Sequence, residues 1–345
     1  MKSKSIIDYM AIDIEEGETS LLSWMLERDL LRNVHQLLVN YHGLLPDSDA
    51  SVYTEHLQVL RALFEEGFRI FHFIRDVQCL FKPNMRQTGC YSLNMIRNLP
   101  KSPPIDVYDV ETTLNKPIRD LSILYNRLLL STQVHCKQLV RIGDVNDGGW
   151  EVCDDPEYRP SPSCLVYSFG VDNDWTFDDE VSKVYGCEVH SFDPSIGLQD
   201  HKRSDKITFH NLGLWDRPKG KLGKWNMMNM AEIIEMLGHK GKIIDILKMD
   251  IEGMEFDVIS NMITSGVVKN IRQLDFEFHG GPDFKETDDI RSKLKPLRDL
   301  HEHGFRIFWS HPNVIGKNVR PFSVTGRQLS RCNENYFLNT NLKRT

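Results

Sequence analysis

Residues 60–71, LRALFEEGFRIF, and residues 297–308, LRDLHEHGFRIF, agree at nine of twelve positions. The agreement is the tail of a longer one. At a constant offset of 237, without a gap, 6–43 lies on 243–280 with 14 identities in 38 positions. They include Asp13/Asp250, Glu15/Glu252, Glu18/Glu255, His42/His279 and Gly43/Gly280. Unrelated segments share only a few positions over such a length, so a duplicated unit is the first constraint on the fold. Beyond residue 308 the match weakens, though CYSLNMIRN (90–98) still resembles CNENYFLN (332–339).

The copies are unequal. The stretch 131–242 precedes the matched part of the second copy, whereas five residues precede the first. The first copy therefore reads as the back half of a domain whose front half is absent. Residues 99–108, LPKSPPIDVY, supply a proline-rich joint. The expected division is a truncated half-copy over 1–98, a linker over 99–108 and a complete domain over 109–345. Either the chain is a fragment of a longer tandem protein, the favoured reading, or the half-copy is a structural remnant packed on the complete domain.

A formal charge of −7 argues against a general nucleic-acid binder, which would carry a basic stripe. No apolar run approaches the length of a membrane span. Acids interrupt the first twenty residues where a signal peptide needs an apolar core. In a fragment that would say nothing about export, so localisation stays open and a secretory-pathway lumen stays among the choices. Seven cysteines leave at least one unpaired, and no CxxC pair suggests zinc. Buried thiols are the plainer reading and a Cys136–Cys153 disulfide its rival. No residue is assigned to a metal.

Within 131–345 strand and helix patterns alternate. Strands are expected over 163–169, 187–194, 206–214, 242–250, 271–280, 305–312 and 334–339, and helices over 176–186, 230–238, 255–266 and 287–303. Thr176, with Asp179 three residues on, is expected to cap the first of these helices, and Gly186 to end it. Such a series implies an open, mostly parallel sheet covered on both faces, with an antiparallel hairpin at one edge.

Ligands of such sheets sit at the carboxyl ends of the strands. Three stretches fall there: YSFGVDNDW (167–175), with Gly170 at the turn; Asp193, a carboxylate placed for ribose hydroxyls; and KMDIEGMEF (248–256), with Asp250 and Glu252. Each has a plainer reading: an ordinary tight turn, a strand stop at Asp193-Pro194, and solvated or helix-capping acids. Together, in order, they point to an adenosine-containing ligand. Neither GxGxxG nor GxxxxGK[ST] is present, and Asp172, Asp174, Asp178 and Asp179 crowd the first turn. Carboxylates repel a pyrophosphate and tolerate a cation, which favours S-adenosylmethionine over NAD or FAD.

DILKMDIEGMEFDVI resembles the KIDIEGAE motif of FkbM-type S-adenosylmethionine-dependent methyltransferases. The ordered set DGGWEVC, CLVYSFGVDNDWTFDDE, GCEVHSFDPS and LKMDIEGMEF is similar, more closely, to the methyltransferase-like protein twenty-four domain family. The resemblance covers about 131–345 and is echoed over 6–98. It implies an α/β class I methyltransferase fold, a Rossmann-like sheet in the order 3-2-1-4-5-7-6. It also implies that Ser168, Phe169 and Gly170 line the methionine side of the cofactor and that Asp193 holds its ribose. Asn211, Gly213 and Leu214 would approach the adenine, and Asp250 would lie near the amino group and the transferred methyl. Ser168 stands where an acid is common, and Asp172 and Asp174 replace glycines.

FkbM relatives are associated with O-methylation, so Glu252, Glu277 and His279 are the candidates for catalysis at a hydroxyl acceptor of unknown identity. A methyltransferase-derived, non-catalytic binding module is the alternative, and a nicotinamide oxidoreductase a third reading.

Overall fold

A computed structural model describes residues 6–15, 17–42, 50–75, 90–97, 116–145, 148–313, 319–324, 326 and 328–344. The proline-rich joint at 99–108 lies outside them. The chain divides into two compact units, one within 1–103 and one within 104–345.

In the first unit β1 (Ile7–Ile12), α1 (Glu18–Glu27), β2 (Val34–Tyr41), α2 (Ala50–Glu65), β3 (Phe68–Arg75) and β4 (Tyr91–Arg97) follow in turn. Its sheet has the order β1-β2-β4-β3, with β1 parallel to β2 and β4 antiparallel to both its neighbours. Ile12, Leu22, Val34, Leu37, Val39, Leu63, Phe68 and Met95 close a core within this unit.

The second unit begins with α3 (Ile118–Leu129) and a hairpin of β5 (Leu139–Ile142) and β6 (Trp150–Cys153). There follow β7 (Leu165–Phe169), α4 (Thr176–Tyr185), β8 (Glu188–Phe192), β9 (His201–Lys202) and β10 (Ile207–His210). A small sheet comes next, of β11 (Gly213–Leu214), β12 (Gly220–Leu222) and β13 (Trp225–Met228). Then come α5 (Met230–Met236), β14 (Ile244–Met249), α6 (Glu255–Thr264), β15 (Ile271–His279), α7 (Thr287–Glu302) and β16 (Phe305–Asn313). The hairpin β17 (Val319–Pro321) and β18 (Gln328–Ser330) precedes β19 (Cys332–Asn339).

The main sheet runs β16-β19-β15-β14-β7-β8-β10-β9. Counting β7, β8, β10, β14, β15, β16 and β19 as one to seven, this is the order 3-2-1-4-5-7-6 with β9 added outside the third strand. The fold is therefore the class I methyltransferase sheet. In place of a simple hairpin edge, β19 is slotted between β15 and β16 and runs against both. The stretch 206–214 is not one strand either: β10 ends at His210, and Gly213–Leu214 leaves to pair with Met227 and Met228. Thr176 does not cap α4. Asp174 Oδ1 accepts from the Thr176 amide at 2.9 Å, while Asp179 pairs outward with Arg203 at 2.7 Å.

Alternation along the strands divides the two faces. Tyr167, Phe169, Leu247, Met249, Leu274, Phe276, Phe278 and Phe337 face the main core, with side chains of α3, α5, α6 and α7. Ser168, Lys248, Asp275, Glu277, Glu334 and Tyr336, at alternating positions, are also buried. On that polar side Arg141 pairs with Glu151 of the β5–β6 hairpin at 3.2 Å, and Lys248 lies over the Trp150 ring.

Disulfides, and not buried thiols, are found among the described residues of the second unit: Cys136–Cys153 and Cys164–Cys187. The second follows from register, since its cysteines precede Leu165 and Glu188, which face each other across β7 and β8. Cys332 is buried and carries a free thiol.

Candidate functional site

The carboxyl ends of β7, β8 and β14 are stitched together by their backbones. The Gly170 amide donates to Phe192 O at 2.9 Å, and the Asp250 amide to Phe169 O at 3.1 Å. Gly170 has φ +76°, and a Cβ there would lie 1.8 Å from the Asp250 carbonyl oxygen. The turn is glycine because two chains meet, over and above its left-handed conformation. Lys248, buried on β14, donates from Nζ to Gly170 O and fixes the turn from below.

Ser168 and Phe169 present backbone, and not side chain, to this end of the sheet. Ser168 is fully buried and its hydroxyl donates to Asp178 Oδ2 at 3.3 Å; Ser191 donates to the other oxygen. Burial raises the Asp178 carboxyl above the usual range, against the pull of Lys248 and the two serines. Phe169 is stacked on Phe192 with ring centres 4.4 Å apart, inside the core.

Asp193 is buried and its four acceptor positions are taken. Oδ2 accepts from the amides of Val171 and Asp172, each at 3.0 Å, and Oδ1 from the Ser195 amide and hydroxyl at 2.8 and 2.6 Å. It thus ties the loop after β7 to the end of β8. In that loop Asp172 and Asn173 have φ of 42° and 63°, left-handed values that aspartate and asparagine tolerate better than most non-glycine residues. Asn211 is anchored through its amide to Asp200 at 2.7 Å. Gly213 admits the Met227 sulfur, which would lie 2.5 Å from a Cβ, and Leu214 belongs to the core.

The acids named from the KMDIEG stretch meet the end of β15. His279 Nε2 lies 3.9 Å from Asp250 Oδ1 and 3.7 Å from Glu252 Oε2. On its other side Nδ1 donates to Glu255 Oε1 at 2.9 Å. Burial would lower the His279 pKa, but Cys332, Glu255 and Asp250 outweigh it and hold the ring up at about 11. Burial raises Asp250 to about 6, with Lys248 and His279 pulling the other way. Its side chain is 31% exposed, yet Oδ1 is enclosed and has no hydrogen-bond partner. Glu277, two residues before His279, is raised to about 8, first by burial and then by Asp250 and Glu334; Asn313 donates to it at 3.0 Å. Glu252 is the exposed member, 86% accessible, in a left-handed conformation at φ 56°.

The structure thus brings Asp250, Glu252 and His279 within touching distance, with Glu277 beside them, and gathers Gly170 and Asp250 at one turn. It leaves the Ser168, Phe169 and Leu214 side chains in the interior. Sequence reasoning gave Lys248 and Glu255 no part in the site and counted Asp178 among the acids of the first turn, where the structure instead buries it against Ser168 and Ser191. For Glu255 the signal was present, since Glu18/Glu255 and His42/His279 recur together. For Asp178 there was none, because its burial depends on how α4 lies on β7 and β8.

The sheet order is that of the class I methyltransferases, and residues 109–324 match the family model described as "Methyltransferase domain". The chain belongs to that family. It is similar to the human protein named "Probable methyltransferase-like protein 24", at 28% identity over 208 residues, 54% of this chain and 56% of that one. The rat protein of the same name matches at 29% over 204 residues, 53% and 56% of the two chains. The chain thus spans about half the length of these relatives. Among solved structures, Haemonchus contortus phosphoethanolamine N-methyltransferase 2, bound to S-adenosyl-L-methionine, aligns at 8% identity and TM-score 0.30 over 97% of this chain and 86% of that one. The Methanococcus jannaschii fibrillarin pre-rRNA processing protein aligns at 8% and TM-score 0.33, over 75% and 83%. Scores this low add nothing to the strand order as an argument for the fold.

Proposed function

We propose that this chain is an S-adenosylmethionine-dependent methyltransferase acting on a hydroxyl acceptor. The observation that carries the reading is the meeting of Gly170, Asp193 and Asp250 at the carboxyl ends of the first, second and fourth strands of a class I sheet. The donor set suits the cofactor: Asp172, Asp174 and Asp250 favour a sulfonium and an ammonium and disfavour a pyrophosphate. When bound, S-adenosylmethionine supplies an electrophilic methyl group.

The chain's part is to align and to receive a proton. Asp250, at the carboxyl end of β14 beside the Gly170 turn, holds the cofactor's amino end. Asp193 orients the ribose by exchanging the Ser195 hydroxyl for a ribose hydroxyl. Of the three catalytic candidates, His279 Nδ1 is committed to Glu255 and Glu252 faces solvent, so Glu277, raised to about 8 and ionised only in mildly alkaline solution, takes the acceptor's proton there. The Cys136–Cys153 and Cys164–Cys187 bridges support work in an oxidising compartment such as the secretory-pathway lumen. The division at 99–108 stays part of this proposal.

Calorimetric titration of the full chain with S-adenosylmethionine tests it. Micromolar binding, lost in Asp250→Ala and weakened in Asp193→Ala, is the expected result. A folded chain that does not bind would sink the enzyme reading. Binding without transfer to any hydroxyl acceptor would favour the non-catalytic module.

A further inference from the structure

His279 Nε2, Asp250 Oδ1 and Glu252 Oε2 converge without hydrogen-bonding one another: the ring nitrogen is 3.9 and 3.7 Å from the two oxygens, beyond hydrogen-bond reach. All three lie within 4.8 Å of one another. Donor atoms bonded at about 2.1 Å to one ion lie roughly 3–4 Å apart, so the gap is of the size an ion fills. Asp250 Oδ1 is enclosed and has no partner. His279 is oriented as a ligand would be, with the far ring nitrogen donating to Glu255, fully buried, whose Oε2 is itself unpartnered.

The first unit supplies an internal comparison. Asp13, Glu15, Glu18 and His42 occupy the equivalent positions; His42 Nδ1 meets Glu18 Oε1 at 3.0 Å, and Glu15 shares the left-handed conformation of Glu252, φ 49° against 56°. Several positions differ, Ala11 for Lys248 and Glu16 for Gly253 among them, and one bears on the aspartate itself. Asn40 donates to Asp13 at 2.9 Å, and its equivalent in the second unit is Glu277, an acid in place of the donor. The first unit satisfies its aspartate from within. The second leaves Asp250 Oδ1 unsatisfied and places a carboxyl group beside it where the first has a donor, while the nearby cation, Lys248, is engaged by Gly170 O.

We propose that Asp250, Glu252 and His279 bind one divalent cation in exchange for the His279 Nε2 proton, which leaves to solvent, with Glu255 as the carboxylate that orients the imidazole. Two carboxylates and one imidazole suit Mn2+ better than Ca2+ or Mg2+, which prefer oxygen alone. The ion would sit beside the proposed cofactor end and draw an acceptor oxygen toward Glu277. That role rests on the methyltransferase reading; the binding does not.

The test is titration of the full chain with Mn2+, followed by electron paramagnetic resonance and calorimetry, alongside His279→Gln, Glu252→Gln and Glu277→Asn, with circular dichroism to confirm folding. One Mn2+ per chain is expected. Each of the first two variants should weaken it by tenfold or more. Glu277→Asn, which installs the first unit's donor, should weaken it comparably while S-adenosylmethionine binding persists. Absence of Mn2+ binding by the folded wild-type chain overturns the proposal. So does an ion insensitive to Glu252→Gln, or Zn2+ binding lost in Cys332→Ser, which would move the ion to the Glu277–His279–Cys332 side. Mn2+ binding without S-adenosylmethionine binding would keep the metal site and reject only the cofactor assignment.

Discussion

Glu255 and His279 are joined at 2.9 Å, Oε1 to Nδ1, in a position where the carboxylate is fully buried and the ring only partly so. A buried acid held by one charged partner depends on that partner. Breaking such a bond costs about 1.5–3 kcal/mol. Glu255→Gln should therefore destabilise the second unit by about that amount, read as a shift in the urea midpoint at unchanged slope. A shift within error would show that His279 is anchored otherwise.

Gly170→Ala should be poorly tolerated. The left-handed backbone alone costs a non-glycine residue about 1–3 kcal/mol, and the overlap with the Asp250 carbonyl adds to it. Relief requires separating the ends of β7 and β14, so thermal stability and S-adenosylmethionine affinity should fall together. Loss of one alone would uncouple the turn from the pocket.

The Cys164–Cys187 bridge closes a separation of 23 residues. Chain-entropy reasoning gives such a closure about 3 kcal/mol. Cys164→Ser with Cys187→Ser should lose about that much in chemical denaturation, and the loss should vanish when wild type is measured reduced. A difference that survives reduction would mean that the serines, and not the missing bridge, are responsible.

Acid should loosen the opposite side of the sheet. His190, His210 and His239 are all held below the usual histidine range, by burial first; His210, lowered further by His190, falls to about 4. The folded state then binds fewer protons than the unfolded one. Stability from this cluster is present above about 6.5 and is lost as pH falls toward about 4. Urea midpoints at pH 7, 5.5 and 4.5 should decline, and His210→Gln should flatten the decline. A parallel decline in the variant would assign the acid sensitivity elsewhere.

The alternation of strands and helices in the large sheet was legible because its strands are apolar runs separated by helical periods, whereas the strand order was legible only through the family resemblance that stretches such as KMDIEG and HSFDP carry. The half-sheet was legible from the offset: β1 and β14, α1 and α6, α2 and α7 begin and end 237 residues apart. The irregularity at Ile70/His72 recurs at Ile307/Trp309. What hid were properties created by contact. Nothing in Asp193-Pro194 tells that loop amides will fill the carboxylate, since that depends on the curl of 171–173. Cys164 and Cys187 become partners only once β7 and β8 are in register. Lys248 is a lone charge in an apolar strand, and its burial follows from the hairpin that lays Trp150 on that face.

The first unit closes its core with its own side chains around four strands and two helices. Its counterparts in the second unit, from β14 onward, have the same internal connections and need no residue of β7 or β8 to pair β14 with β15 or β15 with β19. The carboxyl-terminal half of this domain is therefore a candidate cooperative folding unit. It would gain hydrogen-exchange protection early and lose it late, while the strands nearest the proposed cofactor site assemble on it afterwards.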